Sequence, residues 1–182
     1  MDYPSAWETA FTLANGEKTD FRPIQATDME MLWEMFSTLS EKSLSNLVPP
    51  FTRERIEGWT GSIDYDKVLT IVAVTKKKSV QRIVGSASLV FNAREVFKHK
   101  AELSIAVHED YQDKGLGTAL LRHMLNIAKL KGLRKISLCV NTDNDRAVHV
   151  YKKLGFVVEG KLAKDRYSSG KFGDLYMMAL FL

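Results

Sequence analysis

The 182-residue sequence has a single cysteine, Cys139, and only four histidines. One cysteine excludes an internal disulfide and any cysteine-based metal cluster. The histidines are scattered without the spacing of metal ligands, so we predict no metal site. Cys139 stands in the alternating apolar run KISLCV, which predicts a buried structural thiol rather than a nucleophile.

Long apolar runs are also missing. No segment has the length needed to span a bilayer, and the first residues show no signal-peptide pattern. We therefore expect a soluble, cytoplasmic protein without a membrane partner. The length predicts a single domain, residues 1–182, with residues 1–18 as an N-terminal hairpin or extension and residues 19–182 as the core.

Charge of one sign is not in large excess. The formal net charge of +4 suits an anionic ligand but is too small to indicate nucleic-acid binding, so no nucleic-acid partner is expected. The only basic triplet, Lys76-Lys77-Lys78, lies between two strand-like runs and is interpreted as a solvated hairpin tip.

Hydrophobic periodicity and turn residues predict the element order β-β-α-α-β-β-β-α-β-α-β-β. Asn15-Gly16 indicates a first hairpin, and residues 27–39 have the apolar spacing of the first helix. Residues 43–51 are predicted to form a loop, and Thr52 to cap a second short helix. Antiparallel runs around one βαβ unit predict a mixed α/β fold.

Two glycines, Gly115 and Gly117, stand between a predicted strand and a helix that starts at about Gly117. A turn and cap would explain the first glycine but explain the second less well, because glycine is a poor helix former. Bare glycines let a phosphate approach the unpaired N–H groups of a helix N-terminus. The sequence lacks the Gly-Lys-Ser/Thr of an NTPase loop, and Leu120 replaces the third glycine of a dinucleotide fingerprint.

The stretch AELSIAVHEDYQDKGLGTALL resembles the acetyl-CoA-binding signature of the GNAT superfamily of N-acetyltransferases, Arg/Gln-x-x-Gly-x-Gly/Ala. The later stretch NTDNDRAVHVYKKLGF also resembles this superfamily, and the two occur in its order and spacing. The resemblance covers residues 19–182. The opening stretch, with RPI and SEKSL, more specifically resembles the stand-alone protein-lysine acetyltransferases.

The resemblance implies the acyl-CoA N-acyltransferase fold, a mostly antiparallel sheet whose central strands splay apart around one βαβ unit. It implies acetyl-CoA as cosubstrate, with the backbone of Ile105 and Val107 pairing with the pantetheine arm. The pyrophosphate would be held by Gln112 and the loop that follows it, made of Lys114, Gly115, Leu116, Gly117 and Thr118. Lys114 is alternatively a solvated loop lysine.

The resemblance also implies that Tyr151 protonates the leaving thiolate and that Asn144 bonds the pantetheine amide. Alternatively, Tyr151 is a packed aromatic and Asn144 only caps its helix. Glu102 is the candidate general base, because a lysine amine with a pKa near ~10.4 must lose a proton before it attacks. The alternative for Glu102 is a strand carboxylate paired with a lysine. His108 and Glu109 are reserve bases.

We therefore expect an acetyl-CoA-dependent N-acetyltransferase that acts by direct attack of a primary amine in a ternary complex. The acceptor is expected to be a protein lysine or N-terminus, and the alternative is a polyamine or an amino-acid-like molecule. Asp165, Tyr167 and Asp174 are candidates for recognising it, or else turn and edge-strand residues. A regulatory module that binds acyl-CoA is a second alternative. The resemblance also allows a homodimer.

Overall fold

The computed structural model describes residues 2–77, 80–168 and 170–182, and Lys78 of the lysine-rich turn lies outside them. Within these ranges the strands are β1 (Thr9–Thr12), β2 (Lys18–Pro23), β3 (Val68–Lys77), β4 (Val80–Phe91), β5 (Lys100–Val107), β6 (Lys135–Asn141), β7 (Val157–Ser168) and β8 (Lys171–Phe181). The α-helices are α1 (Met29–Ser37), α2 (Glu41–Leu44), α3 (Arg53–Gly61), α4 (Leu116–Leu130) and α5 (Asp145–Lys153). None of the described helices is both long enough and apolar enough to cross a membrane.

The strands form one sheet in the order β1-β2-β3-β4-β5-β6-β8-β7. Neighbouring strands run antiparallel, except β5 and β6, which are parallel and connected through α4. This confirms the predicted mixed α/β fold with one central βαβ unit.

The parallel pairing of β5 and β6 is short. It runs from Lys100 opposite Lys135 to Glu102 opposite Ser137. Beyond this point β5 stays paired with β4 as far as Val107, and β6 stays paired with β8. The two central strands therefore separate at their C-terminal ends, as the resemblance implies, and leave a gap in the middle of the sheet.

Two apolar cores cover the two faces of the sheet. The amphipathic helices α4 and α5 pack on one face, where Leu120 and Met124 are fully buried. α1 and α3 pack on the other face, where Leu32 and Ile56 are buried. The side chains of β5 and β6 on the α1–α3 face therefore border a region that α4 and α5 do not cover.

Helix α2 is absent from the predicted element order, which places a loop at residues 43–51. Ser40 caps this four-residue helix, and its Oγ accepts a hydrogen bond from the Ser43 N–H at 3.3 Å. One helical turn is too short to show an apolar period, so periodicity does not detect it. The cap of α3 is predicted correctly, because Thr52 Oγ1 accepts from the Arg55 N–H at 3.3 Å.

The hairpin of β1 and β2 forms as Asn15-Gly16 predicts, with Gly16 at φ 83°. It also contacts the loop that precedes α4. The Ala14 N–H donates to the Lys114 carbonyl at 3.2 Å, and the Tyr111 hydroxyl donates to a carboxylate oxygen of Glu17 at 3.3 Å. The division into residues 1–18 and 19–182 stays a prediction.

A buried ion pair connects β2 to the start of α1. The Asp28 side chain is fully buried, and Arg22 donates two hydrogen bonds to its carboxylate, at 2.7 and 2.6 Å. The Gln25 N–H adds a third, at 2.8 Å. The carboxylate is thus satisfied only while Arg22 is present, since the loss of one partner leaves a buried charge uncompensated.

We predict that Arg22→Gln lowers the free energy of unfolding by about 3–5 kcal/mol, because it strands the Asp28 carboxylate in the core. Urea denaturation followed by circular dichroism measures this change. The matched control is Arg82→Gln, which removes an exposed ion pair with Glu34 (2.7 Å) and should cost at most about 1 kcal/mol. Equal losses in the two variants would contradict the prediction.

Candidate active site

The gap between β5 and β6 opens into a groove with a volume of 2330 Å³. A pocket for one drug-sized molecule measures roughly 300–1,000 Å³, so the groove has room for a large ligand and a second molecule. The lining includes the end of β5, the amino ends of α4 and α5, the α2–α3 segment and the β7–β8 hairpin.

The backbone of β5 presents hydrogen-bonding groups to this gap. Successive residues of a strand direct their N–H and C=O groups to opposite sides. The His99 carbonyl accepts from Lys135 on the β6 side, and the His108 N–H donates to Val84 on the β4 side. The odd-numbered residues Ile105 and Val107 therefore direct their backbone groups into the gap, where β6 no longer pairs with them.

The amino end of α4 is open to the groove. The first intrahelical hydrogen bond runs from the Ala119 N–H to the Gly115 carbonyl at 3.0 Å, so the N–H groups of Leu116, Gly117 and Thr118 precede it. The first turn has no acidic side chain, and no side chain caps the helix. Free N–H groups and the positive end of the helix dipole make this end suitable for an anion.

Glycine occurs at positions 115 and 117 for different structural reasons. Gly115 has φ 82°, a left-handed conformation that a turn requires and that glycine tolerates best. Gly117 lies inside the helix, and a Cβ there would make only an ordinary contact, 3.7 Å from Val107 Cγ2. The protein itself therefore leaves room for a side chain at 117, and the space next to the helix end stays open.

Gln112 lines the groove and is fixed by two contacts. Its Nε2 donates to the Val107 carbonyl at 3.0 Å, and its Oε1 accepts from Arg146. Arg146 also pairs with Asp113 at 3.0 Å. Lys114 points elsewhere, since its Nζ donates to the Asp110 carbonyl at 2.5 Å and it does not line the groove. The cation beside the α4 end is Arg146, although Lys114 is the sequence candidate.

Asn144 lies at the start of α5, and its Oδ1 accepts from the Ala147 N–H at 3.2 Å. It therefore caps the helix while lining the groove. Asn141 ends β6 and connects two walls of the groove. Its Nδ2 donates to the Ser45 carbonyl at 2.9 Å, and its Oδ1 accepts from Arg166 at 3.2 Å.

Tyr151 lies on the inner side of α5 and lines the groove, with 8% of its surface exposed. Its ring packs against Phe156, so the packed-aromatic reading also holds. Within the described residues its hydroxyl has no hydrogen-bond partner, and it is not fully buried. Burial raises the pKa of Tyr151 to about 12, so the hydroxyl keeps its proton at neutral pH.

Glu102 is exposed at the point where β5 and β6 separate, and it lines the groove. In the described part of the chain no lysine or arginine pairs with its carboxylate. The side chain lies on the α1–α3 face, because Leu103 next to it is buried in the core under α4.

The prediction that Cys139 is buried is wrong, because the residue is exposed. Its neighbours Leu138 and Val140 face the core under α4, whereas Cys139 lies on the opposite face with Glu102, where no helix covers β6. Partial desolvation, then the carboxylates of Glu102 and Asp165, raise the pKa of Cys139. The thiol is therefore poorly suited to act as a nucleophile.

The reserve bases have other partners. Glu109 accepts hydrogen bonds from Ser40 and Ser43 at the start of α2. The pKa of Glu109 is lowered, and the hydrogen bond from Ser43 is the main cause. The Nε2 of His108 lies 3.2 Å from Thr38 Oγ1, and His108 does not line the groove. Both side chains are thus held by contacts with residues 38–43.

Of the three residues predicted to recognise the acceptor, only Asp174 lines the groove, whereas Asp165 and Tyr167 do not. Asp174 lines the groove, but Lys161 pairs with it at 2.8 Å and lowers its pKa. Tyr167 is 66% exposed and lies outside the groove lining, where it packs on the lining residue Phe172. Asp165 is exposed and also lies outside the lining, so the three residues do not form one cluster.

The family model of the acetyltransferase (GNAT) family matches residues 30–156. The chain belongs to the GNAT family. The match includes β5, the α4 end with its two glycines, and Tyr151, which are the features that border the groove.

Curated relatives of this GNAT protein match over shorter segments. The spermidine N(1)-acetyltransferase of Escherichia coli K12 is 34% identical over 83 residues, 45% of each chain. The L-amino acid N-acetyltransferase AaaT of the same strain is 34% identical over 99 residues, 53% of this chain and 60% of the relative. The chain thus spans about half the length of the curated relatives it matches.

Solved structures share the GNAT fold over most of the chain. The GNAT domain of S. lividans PAT has a TM-score of 0.80 at 19% identity, with 100% of both chains covered. The spermidine N-acetyltransferase of Vibrio cholerae, in complex with CoA and spermine, has a TM-score of 0.76 at 22% identity and covers 90% of this chain and 95% of its own.

Two arginines of the groove, Arg146 and Arg166, are not among the residues predicted from the sequence. Both are placed there by contacts across long sequence separations, to Gln112 and to Asn141 respectively. The only local signal is the position of Arg146 in the first turn of a predicted helix that lines the gap.

We predict that Gly117→Glu abolishes CoA binding, because a carboxylate at this position occupies and repels the anion site of α4. An acidic residue in a first helical turn favours the helix, so the fold should persist. Isothermal titration with CoA measures the effect. The matched control is Gly61→Glu at the end of α3, where a Cβ meets nothing within 4 Å, and it should bind CoA normally. Unchanged binding by Gly117→Glu would remove the anion site from α4.

Proposed function

We propose that this GNAT protein is an N-acetyltransferase that transfers the acetyl group of acetyl-CoA to a primary amine, within a single domain. The observation that carries the proposal is the gap between β5 and β6. Unpaired backbone groups of β5, the open end of α4 and the Tyr151 hydroxyl all border this gap. That a structural neighbour binds CoA supports the same ligand here.

Acetyl-CoA fits the residues of the groove. Its diphosphate would accept hydrogen bonds from the N–H groups of Leu116, Gly117 and Thr118, which no intrahelical carbonyl uses. Arg146, held beside Gln112, would add a positive charge. The pantetheine amides would pair with the backbone of Ile105 and Val107 as a short extra strand.

The acetyl thioester supplies an activated carbonyl carbon. The acceptor nitrogen would attack this carbon, form the C–N bond and release the sulfur as the C–S bond breaks. The Val107 N–H, which points into the gap, would stabilise the negative charge that develops on the carbonyl oxygen. We infer direct attack, because the single thiol, Cys139, has a raised pKa and no paired base in the described residues.

Two side chains would move the protons. Tyr151 remains protonated at neutral pH and would donate to the departing sulfur. Glu102 would take a proton from the attacking amine through water. Its exposed carboxylate has no ion-pair partner in the described ranges, so the reading as one half of a structural ion pair has no support.

The relatives favour a small molecule as the acceptor. The curated relatives named above act on spermidine and on L-amino acids. The resemblance of the opening residues to protein-lysine acetyltransferases instead supports a protein lysine or N-terminus. We propose a small-molecule amine as the first class to test and a protein amine as the second.

A regulatory module that binds acyl-CoA without turnover is the competing function. It would keep the anion site of α4 and lose the need for Tyr151 and Glu102. Release of CoA thiol in the presence of an amine panel separates the two functions, because the regulatory module binds acetyl-CoA and releases no thiol above the rate without amine.

We predict that Tyr151→Phe lowers kcat about 10²–10⁴-fold, because the leaving sulfur loses its proton donor, and leaves the affinity for acetyl-CoA unchanged. Because the pKa of Tyr151 is raised to about 12, deprotonation of Tyr151 should not lower the wild-type kcat below about pH 10. Tyr176→Phe, on β8 outside the groove lining, is the control. If Tyr151→Phe kept wild-type kcat, Tyr151 would not be the acid.

We predict that Glu102→Gln shifts the pH–rate profile to alkaline pH. Without a base, the rate depends on the free amine and rises about tenfold per pH unit below the amine pKa. Cys139→Ala, which changes a neighbour on the same face, should keep the wild-type profile and rate. An unshifted profile in Glu102→Gln would assign the base elsewhere, and loss of activity in Cys139→Ala would contradict direct attack.

A further inference from the structure

If the protein is the proposed transferase, on which the inference rests, the acceptor side of the groove is the sheet face opposite α4. Glu102 lies on this face because Leu103, its neighbour on β5, is buried under α4. Cys139 and Asn141 lie on the same face because Leu138 and Val140 on β6 are buried under α4. The α2–α3 segment and the β7–β8 hairpin border the same region. An amine that approaches from this side meets the charges of these elements first.

Most carboxylates on the acceptor side already have partners. Lys67 pairs with Asp64 at 2.9 Å, and Lys161 pairs with Asp174 at 2.8 Å. Glu109 is held by the hydroxyls of α2 and the N–H of Ser40. These groups are therefore poorly placed to bind the second ammonium of a polyamine.

Arg166, in contrast, is a cation without an anionic partner. It is half-buried on β7, and its Nη1 donates to Asn141 Oδ1 at 3.2 Å. Asn141 is itself fixed by Ser45 and Asn46 of the α2–α3 segment, at 2.9 and 3.2 Å. A neutral amide thus orients the guanidinium, and no carboxylate lies within ion-pair distance in the ranges that the structure describes. The remaining donors of its planar fork suit a carboxylate.

Arg55, on the other wall, repeats this arrangement. Its Nη1 donates to the carbonyls of Val48 and Pro50, both at 2.8 Å, and its guanidinium lies 5.4 and 5.5 Å from the ring centres of Phe51 and Trp59. These partners are also neutral. Both arginines of this side are therefore held in place without charge compensation among the described residues.

Negative charge on this face is concentrated around Cys139. Glu102 lines the groove on the same face as Cys139, whereas Asp165 lies outside the lining. Partial desolvation, then the carboxylates of Glu102 and Asp165, raise the pKa of this thiol, in agreement with a position of both carboxylates near it. Asp143 and Asp145 line the groove too, and they flank Asn144 at the amino end of α5. The acceptor face thus has a carboxylate, Glu102, where β5 and β6 separate and a guanidinium, Arg166, at the end of β6.

We infer that the acceptor is an amine that also carries a carboxylate or a comparable anionic group. Its ammonium faces Glu102, where the amine loses its proton, and its anionic group binds Arg166. An amino acid carries both of these charges. The charge arrangement opposes a polyamine, because the second ammonium would meet an uncompensated guanidinium at the position where an anion should bind.

Matched pairs of acceptors test the inference. Each pair consists of an L-amino acid and its carboxamide, which differ in the anionic group, and spermidine is added as a polycation. The full chain is assayed for CoA thiol release with acetyl-CoA. We expect the acid of at least one pair to have a kcat/KM about 10–100-fold above that of its amide, as the loss of a charged hydrogen-bond partner predicts. Spermidine should be a poor acceptor.

Variants of Arg166 connect the preference to this residue. In Arg166→Gln the acid-to-amide ratio should fall to about one through a rise in the KM of the acid, with acetyl-CoA affinity unchanged. Arg166→Lys should restore part of the ratio, because it keeps the charge. Arg122→Gln, an exposed residue of α4 outside the groove lining, is the control and should keep the wild-type ratio.

Maleimide labelling of Cys139 gives a second readout that needs no turnover. The thiol is exposed in the acceptor groove, so a bound acid should slow its labelling in the presence of CoA, and the amide should not. Protection by acids without thiol release would support the inference and reject the proposed transfer. Turnover that favours amides or spermidine would overturn the inference and keep the transferase. If no acid protects Cys139 and none is acetylated, the inference fails.

Discussion

The early loss of pairing between β5 and β6 is the constraint on which the rest of the structure depends. Both strands stay bound on their outer sides, to β4 and to β8, so neither can bend back to close the gap. Buried backbone N–H and C=O groups need partners, and those of Ile105 and Val107 point to a side where the protein supplies few. A ligand with peptide-like amides can supply the missing strand.

Local patterns predict the frame of this site well. Apolar periodicity gives the helices and strands in nearly the observed order, and one βαβ unit among antiparallel runs gives the topology. The glycine at 117 indicates open space, because no turn at that position requires it. The resemblance to the GNAT family adds the position of the gap and the residues around it. Local sequence patterns alone predict neither.

The remaining features depend on contacts between distant parts of the chain. The alternation of side chains along β6 places Cys139 on the sheet face opposite that of Leu138. It does not tell whether a helix covers Cys139, and the structure leaves this residue exposed. Helix α2 is held at its start by Glu109, in the turn after β5, and just after its end by Asn141 of β6. The partners of Arg146 and Arg166 are likewise brought near by the fold.

The hairpin of β1 and β2 has a consequence for coenzyme binding. It holds the turn before α4 through Ala14 and Glu17, which contact Lys114 and Tyr111. Both supporting residues precede residue 30, where the match to the family begins. The support for this turn therefore comes from residues outside the matched range. We expect changes in the first two strands to alter the affinity of this protein for the coenzyme, although these strands lie far along the chain from the two glycines.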